Sequence, residues 1–75
     1  MTYYVDTKEL KKVMIDANIP TITGLADASG VDRNTIGNIL SEKTKPSATA
    51  IEKIAAALSL SGEDIGRIFF AQELA

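Results

Sequence analysis

The side chains in this sequence that are best suited to chemistry are the arginine and lysines between residues 31 and 46. Between residues 31 and 46, three cations stand against two carboxylates and leave a net charge of +1, namely Arg33, Lys43 and Lys45 against Asp32 and Glu42. The middle of the chain is therefore mildly basic. The whole 75-residue chain carries −2 with a pI near 4.9, which argues against a nonspecific binder of polyanions but not against a specific one.

The chain lacks the side chains most often used in catalysis and metal binding. It has no histidine and no cysteine, so imidazole bases, thiol nucleophiles, thiolate zinc sites and disulfides are absent. No group of residues has metal-ligand spacing, and Gly62 and Gly66 do not form a phosphate-binding loop. We therefore expect no enzyme, no metal and no cofactor.

The length and composition predict one small domain. A chain of this size buries only about 60–65% of its unfolded surface, so its elements must pack well and a homodimer would help. The 45% apolar content suits a globular domain. No stretch reaches the roughly 18 apolar residues of a membrane span, and the first ten residues lack the pattern of a secretion signal. The absence of cysteine fits an intracellular location.

The elements that must position the cations lie between residues 21 and 47, where two short helices and a glycine turn precede a basic loop. Thr21 and Asp32 can cap the two helix starts, and Gly30 fits the left-handed position of the turn. Apolar positions let the two helices pack across that turn: Leu25, Ala26, Val31, Ile36 and Ile39. Such a unit presents the exposed face of its second helix to a DNA major groove, so sequence-specific DNA binding is our first hypothesis.

The remaining periodicity completes an all-α domain of five helices over residues 1–75. The first helix starts at Asp6, after a tail over residues 1–5 that either packs on the body or forms a strand. The helix-turn-helix covers residues 21–41, and Ser47 caps a fourth helix. A capping box of Ser61 and Asp64 opens a C-terminal helix assigned to residues 61–75.

Two apolar residues near the C-terminus are candidates for an interface. Phe69 follows Ile65 at helical spacing and is expected in the core, so the adjacent Phe70 falls on another side, nearer Leu74. Exposed aromatic and apolar neighbours indicate a dimer or partner surface. The alternative is that Phe70 packs against the aromatic residues of the N-terminal tail.

The combined pattern resembles the lambda-repressor-like helix-turn-helix family, the Cro/XRE type found in phage switches. The resemblance extends over about residues 7–69. It is carried by Thr21, Leu25-Ala26, Gly30-Val31, Arg33-Asn34-Thr35-Ile36, Ile39, Lys43-Thr44-Lys45-Pro46-Ser47 and the run Ile54-Ala55…Leu58.

The resemblance implies roles for the matched positions. The residues expected to read base edges are Arg33, Asn34 and Asn38, because arginine pairs with guanine and asparagine with adenine at about 1–3 kcal/mol of discrimination each. The residues expected to contact phosphates, without reading sequence, are Thr35, Lys43 and Lys45.

Several positions depart from the family's pattern. Ile22 stands where many members have a glutamine that contacts phosphate, and Gly24 replaces a usual helix former. Gly37 and Leu40 replace polar residues, and Glu42 replaces the usual glycine. These departures weaken phosphate binding and admit a partner that is partly protein.

Two functions follow from the resemblance and its departures. The first is a small phage-type transcriptional regulator that binds operator DNA as a homodimer, within a lysis/lysogeny-like genetic switch. The alternative is an antirepressor or modulator that binds a partner repressor protein and alters its DNA binding. In either case we expect the protein in the cytoplasm of a bacterial host cell, at the nucleoid when bound to DNA, and not at a membrane.

Overall fold

The computed structural model describes residues 2–72, which form five helices and one two-stranded ribbon. The helices are α1 Thr7–Asp16, α2 Ile22–Ser29, α3 Arg33–Leu40, α4 Ala48–Ala57 and α5 Gly62–Phe69. Strands β1 Tyr3–Tyr4 and β2 Ala71–Gln72 pair antiparallel, with Tyr3 opposite Gln72 and Tyr4 opposite Ala71. The predicted five-helix fold, with the helix-turn-helix at α2 and α3, is confirmed.

A side-chain oxygen caps the start of each of these helices, which explains why they begin where they do. The caps are Asp6, Thr21, Asp32, Ser47 and Ser61, each accepting a backbone N–H from the first turn. Only Ser61 has a complete capping box, because Asp64 also accepts the Ser61 backbone N–H, at 3.2 Å. Each cap satisfies a donor that has no partner within its own helix.

Three helices end on a left-handed residue that is not glycine. Asn18, Glu42 and Ser59 have φ of 62°, 64° and 55°, after α1, α3 and α4 respectively. At the end of α3, the backbone N–H of Glu42 donates to Ile39 O at 3.1 Å and that of Lys43 donates to Asn38 O at 2.9 Å. This is the Schellman arrangement, in which glycine is usual because a left-handed residue with a Cβ costs about 1–2 kcal/mol.

The core draws on all five helices and orients α3. Its buried cluster consists of Leu10, Met14, Leu25, Val31, Ile36, Ile39, Ile51, Ile54, Leu58, Ile68 and Phe69. No polar or charged residue is buried among those that the structure describes. Helix α3 contributes Ile36 and Ile39 to this cluster, so their packing determines which side of α3 faces outward.

The C-terminal helix is shorter than the sequence predicts. Helix α5 ends at Phe69, Phe70 leaves the helical region with φ −129° and ψ 41°, and residues 71–72 form β2. The assignment of residues 61–75 to one helix is therefore wrong over residues 70–72. The cause is long-range: the backbone after Phe69 pairs with the N-terminal tail. Both options for the tail are therefore present, because Tyr3–Tyr4 form a strand and Val5 packs against the core.

Candidate nucleic-acid interface

The outward face of α3 carries the predicted base-reading side chains together. Successive helical residues turn by about 100°, so the side opposite Ile36 and Ile39 holds Asn34 and Asn38, with Arg33 on its flank. Arg33 and Asn34 are exposed, and Asn38 is half-buried. The face is a polar row about one and a half turns long.

The start of α3 is held by a carboxylate. One oxygen of Asp32 accepts the backbone N–H of Asn34 at 2.9 Å and that of Thr35 at 3.4 Å. Two of the free donors at this helix start are therefore already occupied and cannot bind a phosphate. The side chain of Thr35 remains exposed and available.

The loop after α3 presents the two predicted phosphate-binding lysines. Lys43 and Lys45 are exposed, and within residues 2–72 neither forms an ion pair. The loop from Glu42 to Lys45 lines a shallow pocket with Tyr4 and Val5, so the N-terminal tail lies beside it. Both ammonium groups are therefore free to meet an anionic partner on the surface next to α3.

An apolar groove borders the polar row on α3. Ile22, the first residue of α2, is 39% exposed. Its Cδ1 atom lies 4.0 Å from the point that a Cβ at position 37 would occupy, so it borders the bare backbone of Gly37. The groove is lined by Lys11, Met14, Pro20, Ile22, Gly37, Leu40 and Ser41. The apolar departures in the sequence thus form one continuous surface.

Gly24 has a local structural role that the sequence did not reveal. A Cβ at this position would lie 3.0 Å from Thr21 Oγ1 and 3.4 Å from Ile19 Cγ2. Thr21 Oγ1 accepts the Gly24 N–H at 3.0 Å and caps α2. The missing side chain therefore leaves room for the cap at the start of the helix that supports α3.

Most of this chain matches one known protein family. Residues 9–68 match the Cro/C1-type HTH DNA-binding domain. The chain belongs to this family. No curated protein and no solved structure matches it.

Membership of the Cro/C1-type family establishes the general function. The family consists of DNA-binding regulatory domains and not of enzymes, so this member is a DNA-binding transcriptional regulator whose partner is double-stranded DNA. No helix within residues 2–72 is long and apolar enough to cross a membrane. The roles of individual residues on α3 and its following loop stay predictions.

The ribbon of β1 and β2, together with the adjacent Phe70, lies outside the part of this chain that matches the Cro/C1-type family. Tyr3, Tyr4 and Phe70 are 46%, 44% and 47% exposed, and the rings of Tyr3 and Phe70 meet edge to face with centroids 6.2 Å apart. Packing of Phe70 on the tail, the alternative that the sequence left open, is therefore present. The other interface candidate, Leu74, lies outside the described residues.

A second charged cluster ties α1 to α5. The Arg67 guanidinium donates to the Glu9 carboxylate and, at 3.0 Å, to that of Asp64. The hydrogen bond from Arg67, followed by those from Ser61, lowers the pKa of Asp64 below its ordinary 3.8. The bonds to Asp64 and then to Glu9 raise the pKa of Arg67. The cluster includes none of the predicted DNA-contacting residues.

Proposed function

We propose that this protein is a small phage-type regulator that binds operator half-sites as a homodimer, with α3 in the major groove. It acts within a lysis/lysogeny-like switch, on DNA at the nucleoid of a bacterial host cell. The observation that carries the proposal is the outward row of the exposed Arg33 and Asn34 and the half-buried Asn38, opposite the buried Ile36 and Ile39.

Base reading falls to the polar row on α3. The Arg33 guanidinium donates to O6 and N7 of a guanine, and the side-chain amides of Asn34 and Asn38 each pair with N6 and N7 of an adenine. Helix α3 supports this role because two core side chains fix its rotation, so its outward face keeps one orientation relative to the body of the domain.

Phosphate contacts fall to Thr35 and the loop lysines. Lys43 and Lys45 neutralise the DNA backbone, and each phosphate so neutralised contributes about 0.9 to the slope of log affinity against log salt. Glu42 adjoins Lys43 and opposes this contribution, so the electrostatic part of the affinity is small. Specific contacts on α3 then account for most of the discrimination between sequences.

The test begins with a selection from randomised duplexes, followed by anisotropy titrations at fixed salt. Arg33→Ala removes a bidentate base contact and should weaken binding to the selected duplex by about 1–3 kcal/mol, with relaxed preference at one base pair. Lys53→Ala removes an equal charge from the exposed side of α4 and should leave specificity unchanged. If no selected duplex outcompetes random DNA at low salt, the proposal fails.

A second candidate function is favoured by the groove next to α3. Ile22, Gly37 and Leu40 replace polar surface with apolar surface, as a protein partner would require. In this case the protein is a modulator that binds a partner repressor and changes its DNA binding. Co-purification with the regulator encoded by the neighbouring gene tests it, and absence of a complex at micromolar concentration removes it.

A further inference from the structure

Ile22 approaches the backbone of Gly37 beside the row that we propose to read bases. Gly37 precedes Asn38 directly in α3 and lies one helical turn after Arg33. A Cβ at Gly37 would meet only Ile22 Cδ1, at 4.0 Å, so a small notch remains over the backbone of α3. The end of the Ile22 side chain forms one wall of this notch.

The chemistry of the notch restricts what it can bind. Ile22 has no hydrogen-bonding side chain, and the carbonyl oxygen of Gly37 already accepts the Ser41 backbone N–H at 3.0 Å. A phosphate at this point would therefore find no polar side chain on either residue. Lys11 and Ser41 line the wider groove, but neither side chain lies within 4 Å of the Cβ point at Gly37. An apolar group therefore gains by contact at this point.

The edges of the bases in a major groove carry one apolar group, the C5 methyl of thymine. We propose that Ile22 and Gly37 form a seat for a thymine methyl group, and that each half-site holds a thymine read by this contact. The inference rests on the proposed function and deepens it, because the notch is continuous with the outward face of α3. Ile22 and Gly37, which both depart from the family's pattern, would then contribute to sequence specificity.

The experiment removes the methyl group from the DNA and, in separate protein variants, either removes the Ile22 side of the notch or fills the notch. The duplex selected above is prepared with thymine and again with deoxyuridine in its place, and both are titrated by anisotropy. The protein variants are Ile22→Ala, which removes one wall, and Gly37→Ala, which fills the notch. Both should fold, because Ile22 is partly exposed and the new Cβ meets an ordinary contact distance.

Matched controls are available within the chain. Ile15→Ala removes the same atoms from a 65% exposed isoleucine of α1 that does not line the groove. Gly66→Ala adds the same methyl group to a helix glycine of α5, where nothing lies within 4 Å of the new Cβ. These controls separate the loss of the seat from general effects on folding or helix stability.

We expect uridine to weaken binding of the unchanged protein and of both controls by about fourfold to tenfold, as for the loss of one buried methyl group. For Ile22→Ala and Gly37→Ala the two duplexes should bind within about twofold of each other. An equal loss in all five proteins overturns the inference, because another side chain then reads the methyl group. Equal binding of both duplexes by the unchanged protein also overturns it, and leaves the groove to a protein partner. If the selection yields no preferred duplex, the result contradicts the proposed function itself and, with it, the inference that rests on it.

Discussion

Glu42 is unfavourable both for the stability of the fold and for DNA affinity. It holds a left-handed conformation, φ 64°, that glycine adopts at no steric cost, and it places a carboxylate next to Lys43. The left-handed backbone lowers the stability of the fold, and the carboxylate lowers DNA affinity. Two substitutions separate these effects.

Glu42→Gly should raise the free energy of unfolding by about 1 kcal/mol, because it relieves the left-handed strain. Glu42→Gln keeps the strain and should leave stability nearly unchanged. Both should strengthen DNA binding, because each removes a negative charge from the basic loop. Urea unfolding measures the stability, and anisotropy titrations measure the DNA affinity. Equal stability of the three proteins would show that position 42 is not strained.

The structural roles of other residues were only partly predictable from the sequence. The roles of Thr21 and Asp32 as caps follow from local sequence, and the structure confirms them. The role of Gly24 depends on how Thr21 Oγ1 and Ile19 approach it in space. The approach of Ile22 to Gly37 likewise involves two helices, so the sequence revealed only that both residues were unusual for the family.

At the level of elements, the start of α5 combines a capping box with an ion pair. Asp64 accepts the Ser61 backbone N–H at 3.2 Å and the Arg67 guanidinium at 3.0 Å. Both bonds favour the charged carboxylate and explain its lowered pKa. The capping box was predictable from spacing. The pairing of Arg67 with Glu9 was not, because 58 residues separate them.

The lowered pKa of Asp64 has a consequence for acid stability. Because the folded pKa lies below the unfolded one, the contribution of this carboxylate is fully present above the unfolded value of 3.8 and is lost as pH falls through the folded pKa. Asp64→Asn should therefore lower the melting temperature at pH 7, and its difference from the unchanged protein should shrink below about pH 4. Melting curves across this range test the sign.

A control for the acid series lies in the same turn of α5. Glu63→Gln removes an exposed carboxylate that is outside the Arg67 cluster, so its melting curve should follow the unchanged protein more closely. A constant difference between Asp64→Asn and the unchanged protein at all pH values would contradict the assignment.

At the level of the whole molecule, the ribbon joins both ends of the described chain. Strand β1 precedes α1, β2 follows α5, and the Tyr3 and Phe70 rings meet on it. Local signals along the chain favoured continued helix to residue 75, so no local pattern could reveal the pairing. The five helices, by contrast, were predictable because their caps and apolar stripes are local.

Phe70 allows the two interpretations of the ribbon to be distinguished. If Phe70 serves only to pack on the tail, Tyr3→Ala and Phe70→Ala should each destabilise the fold, with a coupling of about 0.5–1.5 kcal/mol. If the half-exposed ring also lies in a homodimer interface, Phe70→Ala should in addition shift sedimentation toward the monomer. A monomeric unchanged protein at high concentration, in the absence of DNA, would contradict the second interpretation.

The central claim is that the outward face of α3 reads base edges, and its most direct test is a specificity ratio. Affinities are measured at one salt concentration for the selected duplex and for a scrambled duplex of the same composition. The unchanged protein should prefer the selected duplex by about a thousandfold or more. The combined variant Arg33→Ala, Asn34→Ala, Asn38→Ala should retain weak binding with a ratio of about tenfold or less, because only the thymine contact at Ile22 and Gly37 remains. A high ratio in that variant, with its fold intact by circular dichroism, would contradict the account.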